Sequence, residues 1–120
     1  MYGMSPQMLS RMYVAGSLQN QDGGVTFSVK NTIDSGSVSG LAKIAIDDTE
    51  IPLDGVTITL SEKTRAVSDI TWSSSLYVPY GATMAFFVPG ALEAGEHTIT
   101  LHVNVPELGR ISIPITDTIA

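Results

Sequence analysis

The chain has 120 residues, a formal net charge of −6 and no cysteine, and only 15% of its residues are charged. The length suits one domain, residues 1–120, with an ordinary hydrophobic core, and the missing cysteines exclude disulfides, thiolate chemistry and cysteine-ligated zinc or iron–sulfur sites. The acidic balance speaks against a nucleic-acid partner, because a phosphate backbone is repelled, and the low charge density leaves a largely neutral surface that is either Ser/Thr-rich and solvated or covered by a partner.

The chain begins Met1-Tyr2-Gly3-Met4-Ser5-Pro6, without the basic start and long apolar run of a signal peptide. No stretch approaches the roughly 18 apolar residues of a membrane span, so a cytoplasmic chain without a membrane partner is expected. Ser5 can cap a short helix, Pro6 suits its first position, and Gln7-Met8-Leu9-Ser10-Arg11 can complete a turn or two. From there the dominant period is two. Val25-Thr26-Phe27-Ser28-Val29-Lys30 alternates apolar and polar residues, as a strand with one wet face requires.

Asn20-Gln21-Asp22-Gly23-Gly24 is expected to close a hairpin between residues 12–19 and 25–30, since Asp-Gly supplies positive φ. Ser35-Gly36-Ser37-Val38-Ser39-Gly40 reads as a loop. Asp47-Asp48 has the spacing of a hairpin between residues 44–46 and 50–53. Alternation returns in Val56-Thr57-Ile58-Thr59-Leu60, and residues 61–75, holding Trp72 and Ser73-Ser74-Ser75, form the longest irregular region. Pro89-Gly90 ends a strand over 83–88. Two further alternating runs, 99–105 and 111–115, are joined by Pro106-Glu107-Leu108-Gly109. Pro114 inside the last run marks an edge strand, because proline cannot donate to the ladder. Seven to nine short strands with frequent turns make an all-β chain: a single antiparallel β-sandwich, jelly-roll or immunoglobulin-like, with a short N-terminal helical or extended arm.

Chemistry-bearing motifs are scarce. The two histidines, His97 and His102, lie five apart on one expected strand and therefore point to opposite faces, so they cannot share a metal without outside ligands. Asp47, Asp48 and Glu50 could hold calcium, but aspartate also forms turns for local reasons. No pair of carboxylates is singled out for glycoside hydrolysis. There is no nucleophile elbow and no phosphate-binding glycine loop. No catalytic and no metal-ligating residue is therefore assigned to this chain.

Apolar residues carry the remaining signal. Four of the five methionines fall in the first twelve residues. A tail so rich in methionine and tyrosine should be docked on something, its own domain or another chain. Met1, Tyr2, Met4, Met8, Leu9, Met12 and Tyr13 are the candidate partner-interface residues, with residues 1–13 as the docking arm. Trp72, Tyr77 and Tyr80 cluster around Pro79; either Trp72 and Tyr77 fill the core, or the three form a surface that stacks on a sugar or enters a partner's pocket. Phe86 and Phe87 are adjacent, so one should be core and the other on the outer face.

The opening Met1-Tyr2-Gly3-Met4-Ser5-Pro6-Gln7-Met8-Leu9-Ser10-Arg11-Met12-Tyr13-Val14 is followed by Gly16-Ser17-Leu18-Gln19-Asn20 and Phe27-Ser28-Val29-Lys30-Asn31-Thr32-Ile33. Together these resemble the small (β) subunit of bacterial C-glycoside deglycosidases, and the size and strand pattern extend the resemblance over the whole chain. The resemblance implies a heteromeric lyase that cleaves the carbon–carbon bond between a 3-oxo sugar and an aromatic aglycone such as a flavonoid. The chemistry would lie on a large TIM-barrel α subunit carrying a divalent metal, usually manganese. This chain would pack against that subunit, within a higher hetero-oligomer, and hold no cofactor of its own. The alternative is a free-standing carbohydrate-binding or adhesion-type sandwich, with Trp72, Tyr77 and Tyr80 as its stacking platform.

Overall fold

Alternation of apolar and polar residues sorts the chain into sheets that share one apolar interior. The computed structural model describes residues 6–120. A short helix, α1 (Pro6–Ser10), comes first, so the capping role expected of Ser5 lies outside the described residues. It is followed by β1 (Gln19–Gln21), β2 (Gly24–Lys30), β3 (Gly36–Val38), β4 (Gly40–Ile46), β5 (Thr49–Ile51), β6 (Thr57–Leu60) and β7 (Lys63–Ala66). After a single 3-10 turn at Val67–Asp69 come β8 (Leu76–Val78), β9 (Thr83–Pro89), β10 (Gly95–Val105) and β11 (Gly109–Ile119).

A five-stranded sheet in the order β1-β2-β9-β6-β7 faces a four-stranded sheet in the order β11-β10-β4-β5, and β3 and β8 form a separate two-stranded sheet. All pairings are antiparallel. The molecule is an antiparallel β-sandwich. Val25, Phe27 and Val29 of β2 with Phe86 and Val88 of β9 supply one inner face, and Ile44 of β4, Ile99 and Leu101 of β10 and Ile115 of β11 supply the other. Phe27 and Phe86 sit opposite each other in register, their rings stacked with centroids 5.1 Å apart. Such a pair adds to the area it buries.

β4 departs from strict alternation, since Leu41 and Ile44 are both buried. A register shift opposite His102 and Val103 inserts one extra residue there and brings both side chains to the core face. The irregularity is why only residues 44–46 of this strand stand out in the sequence.

The expected Asp22-Gly23 and Asp47-Asp48 hairpins are present, with φ of 54° and 79° in the first turn and 51° and 67° in the second. Positive φ at both central residues is the geometry whose twist matches the flanking strands. Pro114 does lie on an edge strand, because β11 pairs with β10 alone. Phe86 is core, whereas Phe87 lies over Gly24 on the outer face. A Cβ on Gly24 would come within 2.5 Å of both the Phe87 ring and the Val88 carbonyl oxygen, so only glycine fits there.

Three expectations need correction. The stretch 61–75 is not one loop: Ser61 and Glu62, at φ 53° and 68°, make a third tight turn between β6 and β7. Ser-Glu is a poor advertisement for positive φ, and the β7 residues Lys63-Thr64-Arg65-Ala66 carry almost no apolar signal. Residues 12–18 are not a strand either. The helix gives way to a turn at Met12, Tyr13 makes an isolated bridge to Val29, and Gly16 at φ 81° bends the chain before β1 begins. Likewise Gly36–Val38, expected as loop, pairs with Leu76–Val78 as a strand.

Candidate partner interface

The two apolar clusters legible in the sequence take opposite directions. In the N-terminal cluster, Leu9 and Met12 are buried in the chain's own core, while Met8 is 46% exposed. Backbone bonds tie the segment to β2: Val14 N–H donates to Ser28 O and Lys30 N–H donates to Met12 O. Side chains tie it to the other sheet. The Tyr13 hydroxyl donates to Asp117 Oδ2 of β11 at 2.6 Å, and Gly16 N–H donates to the same oxygen at 2.9 Å. The Tyr13 oxygen in turn accepts from Leu18 N–H at 2.9 Å.

Burial, and then the bond to Asp117, raise the Tyr13 pKa. That bond, with the N–H groups of Thr118 and Gly16, lowers the pKa of Asp117. The arm thus bridges both sheets and packs beside the edge strand β11. Leu9, Met12 and Tyr13 are engaged with their own domain. Met1, Tyr2 and Met4 lie outside the described residues.

The second cluster faces outward. Trp72 is 79% exposed, Tyr77 59% and Tyr80 64%, so the core reading of Trp72 and Tyr77 does not hold. Trp72 sits at the tip of a tight turn closed by reciprocal backbone bonds between Thr71 and Ser74, each 3.1 Å. Just before it, Ile70 is buried and anchors the loop. Arg65 of β7 clamps the loop from outside. Its guanidinium donates to the carbonyl oxygens of Asp69, Ser74 and Ser75 at 3.0, 2.9 and 3.1 Å, and to Ser74 Oγ at 2.8 Å. The rigid fork of arginine suits this multiple recognition, and charge-assisted bonds are the strong ones.

Tyr77 points outward from β8, whose Val78 points into the core. Tyr80 follows at a turn, where its N–H donates to Ser35 Oγ at 2.8 Å. Behind this turn lies Asn31, a buried polar residue. Its amide nitrogen donates to Asp34 O and Val78 O at 2.7 and 3.1 Å, and its oxygen accepts from the N–H groups of Ile33 and Asp34. The aromatic edge is therefore held in place from two sides. Neither Arg65 nor Asn31 stood out in the sequence. Their partners are backbone groups, which no residue pattern announces.

Both histidines are bonded to other groups of the chain. His97 and His102 point to opposite faces of β10, as their spacing requires. His97 Nδ1 lies 2.6 Å from Asp47 Oδ2 and its Nε2 2.7 Å from Glu93 O. Both ring nitrogens face acceptors, so the ring satisfies both as an imidazolium. The Asp47 bond first, and the Glu93 carbonyl next, raise the His97 pKa. Asp47 also accepts from Thr98 N–H, the main cause of its lowered pKa, ahead of His97.

Asp47 is therefore both turn former and histidine partner. Among the described residues no group of three or more His, Asp or Glu converges on a metal-sized site. His102 Nδ1 lies 2.9 Å from Ser112 Oγ, and burial, reinforced by the charges of Lys43 and Arg110, lowers the pKa of the ring. Among the described residues no helix is long and apolar enough to cross a membrane.

Comparison with known proteins adds a family. The model of the family described as "Hydroxymethylglutaryl-CoA reductase, N-terminal domain" matches residues 8–120. Similar solved structures include the N-terminal domain of PorA, with a TM-score of 0.36 and 10% identity over 85% of this chain and 84% of that one. Another is a family 123 glycoside hydrolase from Clostridium perfringens, with a TM-score of 0.33 and 13% identity over 84% of this chain but 22% of the hydrolase. No curated protein matches. On the family match, which runs through all the strands described above, the chain belongs to the hydroxymethylglutaryl-CoA reductase N-terminal domain family.

Proposed function

We propose that this chain is a non-catalytic subunit of a cytoplasmic enzyme and docks on a separate catalytic chain through its aromatic edge. The observation that carries the reading is Trp72, 79% exposed at the tip of a turn clamped by Arg65. A large exposed aromatic side chain on a loop whose backbone is already bonded in place suits the anchor of a protein interface, because little backbone freedom remains to be lost on binding. The few surface charges and the structural use of His97, Asp47 and His102 support a binding role.

The sequence resemblance supports a carbon–carbon bond-cleaving C-glycoside deglycosidase that acts on 3-oxo-C-glucosides of aromatic aglycones. The partner is then a large TIM-barrel α subunit, which carries the divalent metal, manganese. The family description instead names a reductase, and names this domain as a part of it. Both readings give the chain a place beside a catalytic body, and the identity of that body separates them. A second reading, a free-standing carbohydrate-binding module, is favoured by the same exposed Trp72, Tyr77 and Tyr80.

Native mass spectrometry of the tagged chain purified from its own host tests the proposal. A co-purifying chain of about 250 residues or more, lost when Trp72 is replaced by alanine, is the expected result. A lone monomer that binds immobilised glycans would refute the subunit reading and select the carbohydrate module.

A further inference from the structure

The two sheets do not close completely at the end where the chain passes from β2 to β3 and from β10 to β11. A cleft of about 330 Å³ opens there. Its walls reach the centre of the sandwich: Val29, Ile58 and Phe86 come from the five-stranded sheet, and Leu41, Val103 and Ile113 from the four-stranded one. The β3–β8 sheet flanks it, with Val38 and Val78 on the lining and Tyr77 outside.

Protein interiors are close-packed and leave few voids larger than a water molecule. Ligand sites, in contrast, are concave, mostly apolar and begin at about 300 Å³. An engineered apolar cavity of about 150 Å³ stays dry and takes up benzene, so a cleft of about 330 Å³ has room for a molecule of roughly twice that size.

The interior offers a ligand no hydrogen-bonding group. Asn31 lines the cleft, but its amide is already engaged by Asp34, Ile33 and Val78. Among the described residues no buried side-chain nitrogen or oxygen lacks a partner. Polar groups are confined to the mouth, where Asp34, Ser35, Ser37 and Glu107 lie beside Leu108. Asp34 and Glu107 are acidic, and among the described residues no lysine, arginine or histidine lines the cleft. A carboxylate or phosphate head group would meet like charge at the rim, with no cationic side chain among the described residues to receive it.

We infer that this cleft binds one small, uncharged, predominantly apolar molecule about the size of two benzene rings, its polar end at the Ser35, Ser37 and Glu107 rim. The inference goes beyond the subunit proposal and holds whichever enzyme the chain serves.

Titrating the full chain with the neutral two-ring dye 6-propionyl-2-dimethylaminonaphthalene tests it. A saturable fluorescence rise at one dye per chain is expected, with no displacement by dodecanoate. Val38→Trp, which fills the cleft from its side, should weaken dye binding at least tenfold while circular dichroism stays unchanged. Should that variant fail to fold, Glu107→Lys on the exposed turn decides, because it should let dodecanoate displace the dye. A non-saturable or absent rise would overturn the inference and leave the cleft to an apolar side chain of a partner. Displacement by dodecanoate from the unaltered chain, unchanged binding in a folded Val38→Trp variant, or no gain of displacement in Glu107→Lys would also overturn it.

Discussion

The N-terminal arm and the aromatic edge are both islands of large apolar residues in a chain with few charges, and they end in opposite environments. Leu9 and Met12 of the arm are buried, and Tyr13 is bonded to Asp117 across the sandwich. Trp72, Tyr77 and Tyr80 stand in solvent although Arg65 and Asn31 fix the loops that carry them. Composition identifies a segment that must be satisfied by contact. Only the packing tells whether the contact is internal or still to be made.

The sharpest way to break this comparison is to remove the arm. Deleting residues 1–13 takes away Leu9, Met12 and the Tyr13 hydroxyl together, so the chain should lose most of its stability and a failed assembly would say nothing about the interface. Point substitutions separate the two regions. Leu9→Ala or Met12→Ala should each destabilise by about 2–5 kcal/mol, as truncated core residues do, whereas Trp72→Ala should stay within about 0.5 kcal/mol of the unaltered chain. Urea unfolding of the three variants checks this. Equal losses would mean that the edge is part of the core after all.

The order reverses for binding. Trp72→Ala should weaken the proposed partner complex by about 2 kcal/mol or more, which is roughly thirtyfold in Kd. Arg65→Ala should weaken it less, because it frees the 69–75 loop without removing a contacting ring. Isothermal titration with the partner reads both, and an Arg65→Ala effect as large as that of Trp72→Ala would place Arg65 itself in the interface.

The smallest effect concerns the His97–Asp47 clip. The folded chain holds a proton on His97 more tightly than the unfolded chain, whose histidine releases it near pH 6.5. The stabilisation is therefore complete below that value and is lost as pH rises through the raised folded pKa. Asp47 acts in the opposite sense: its contribution is present above about pH 3.9 and is lost as pH falls through its lowered folded pKa. Thermal melts from pH 5 to 9 should show a gentle decline above about pH 6.5 that His97→Ala flattens. An unaltered slope in that variant would assign the decline to another group.

Much of this was legible beforehand. Alternation marked β2, β6, β10 and β11, Asp22-Gly23 and Asp47-Asp48 marked their turns, and Pro114 marked an edge. The spacing of His97 and His102 placed them on opposite faces. β7 was hidden because its residues are polar and its turn is Ser-Glu. The two-stranded β3–β8 sheet was hidden because each strand is three residues long and its partner lies far along the chain. The exposure of Trp72 could not be read from its neighbours, since the loop is fixed by Arg65 donating to backbone oxygens. The cleft was equally hidden, because it arises from how far apart the two sheets sit.

The most direct test of the subunit account compares the unaltered chain with the Trp72→Ala variant in its own host, reading the melting temperature of each isolated chain and the mass of each native complex. The account predicts matching melts, with a large co-purifying chain present for the unaltered protein and lost from the variant. An intact complex with the variant, or the absence of any second chain with either, would contradict it.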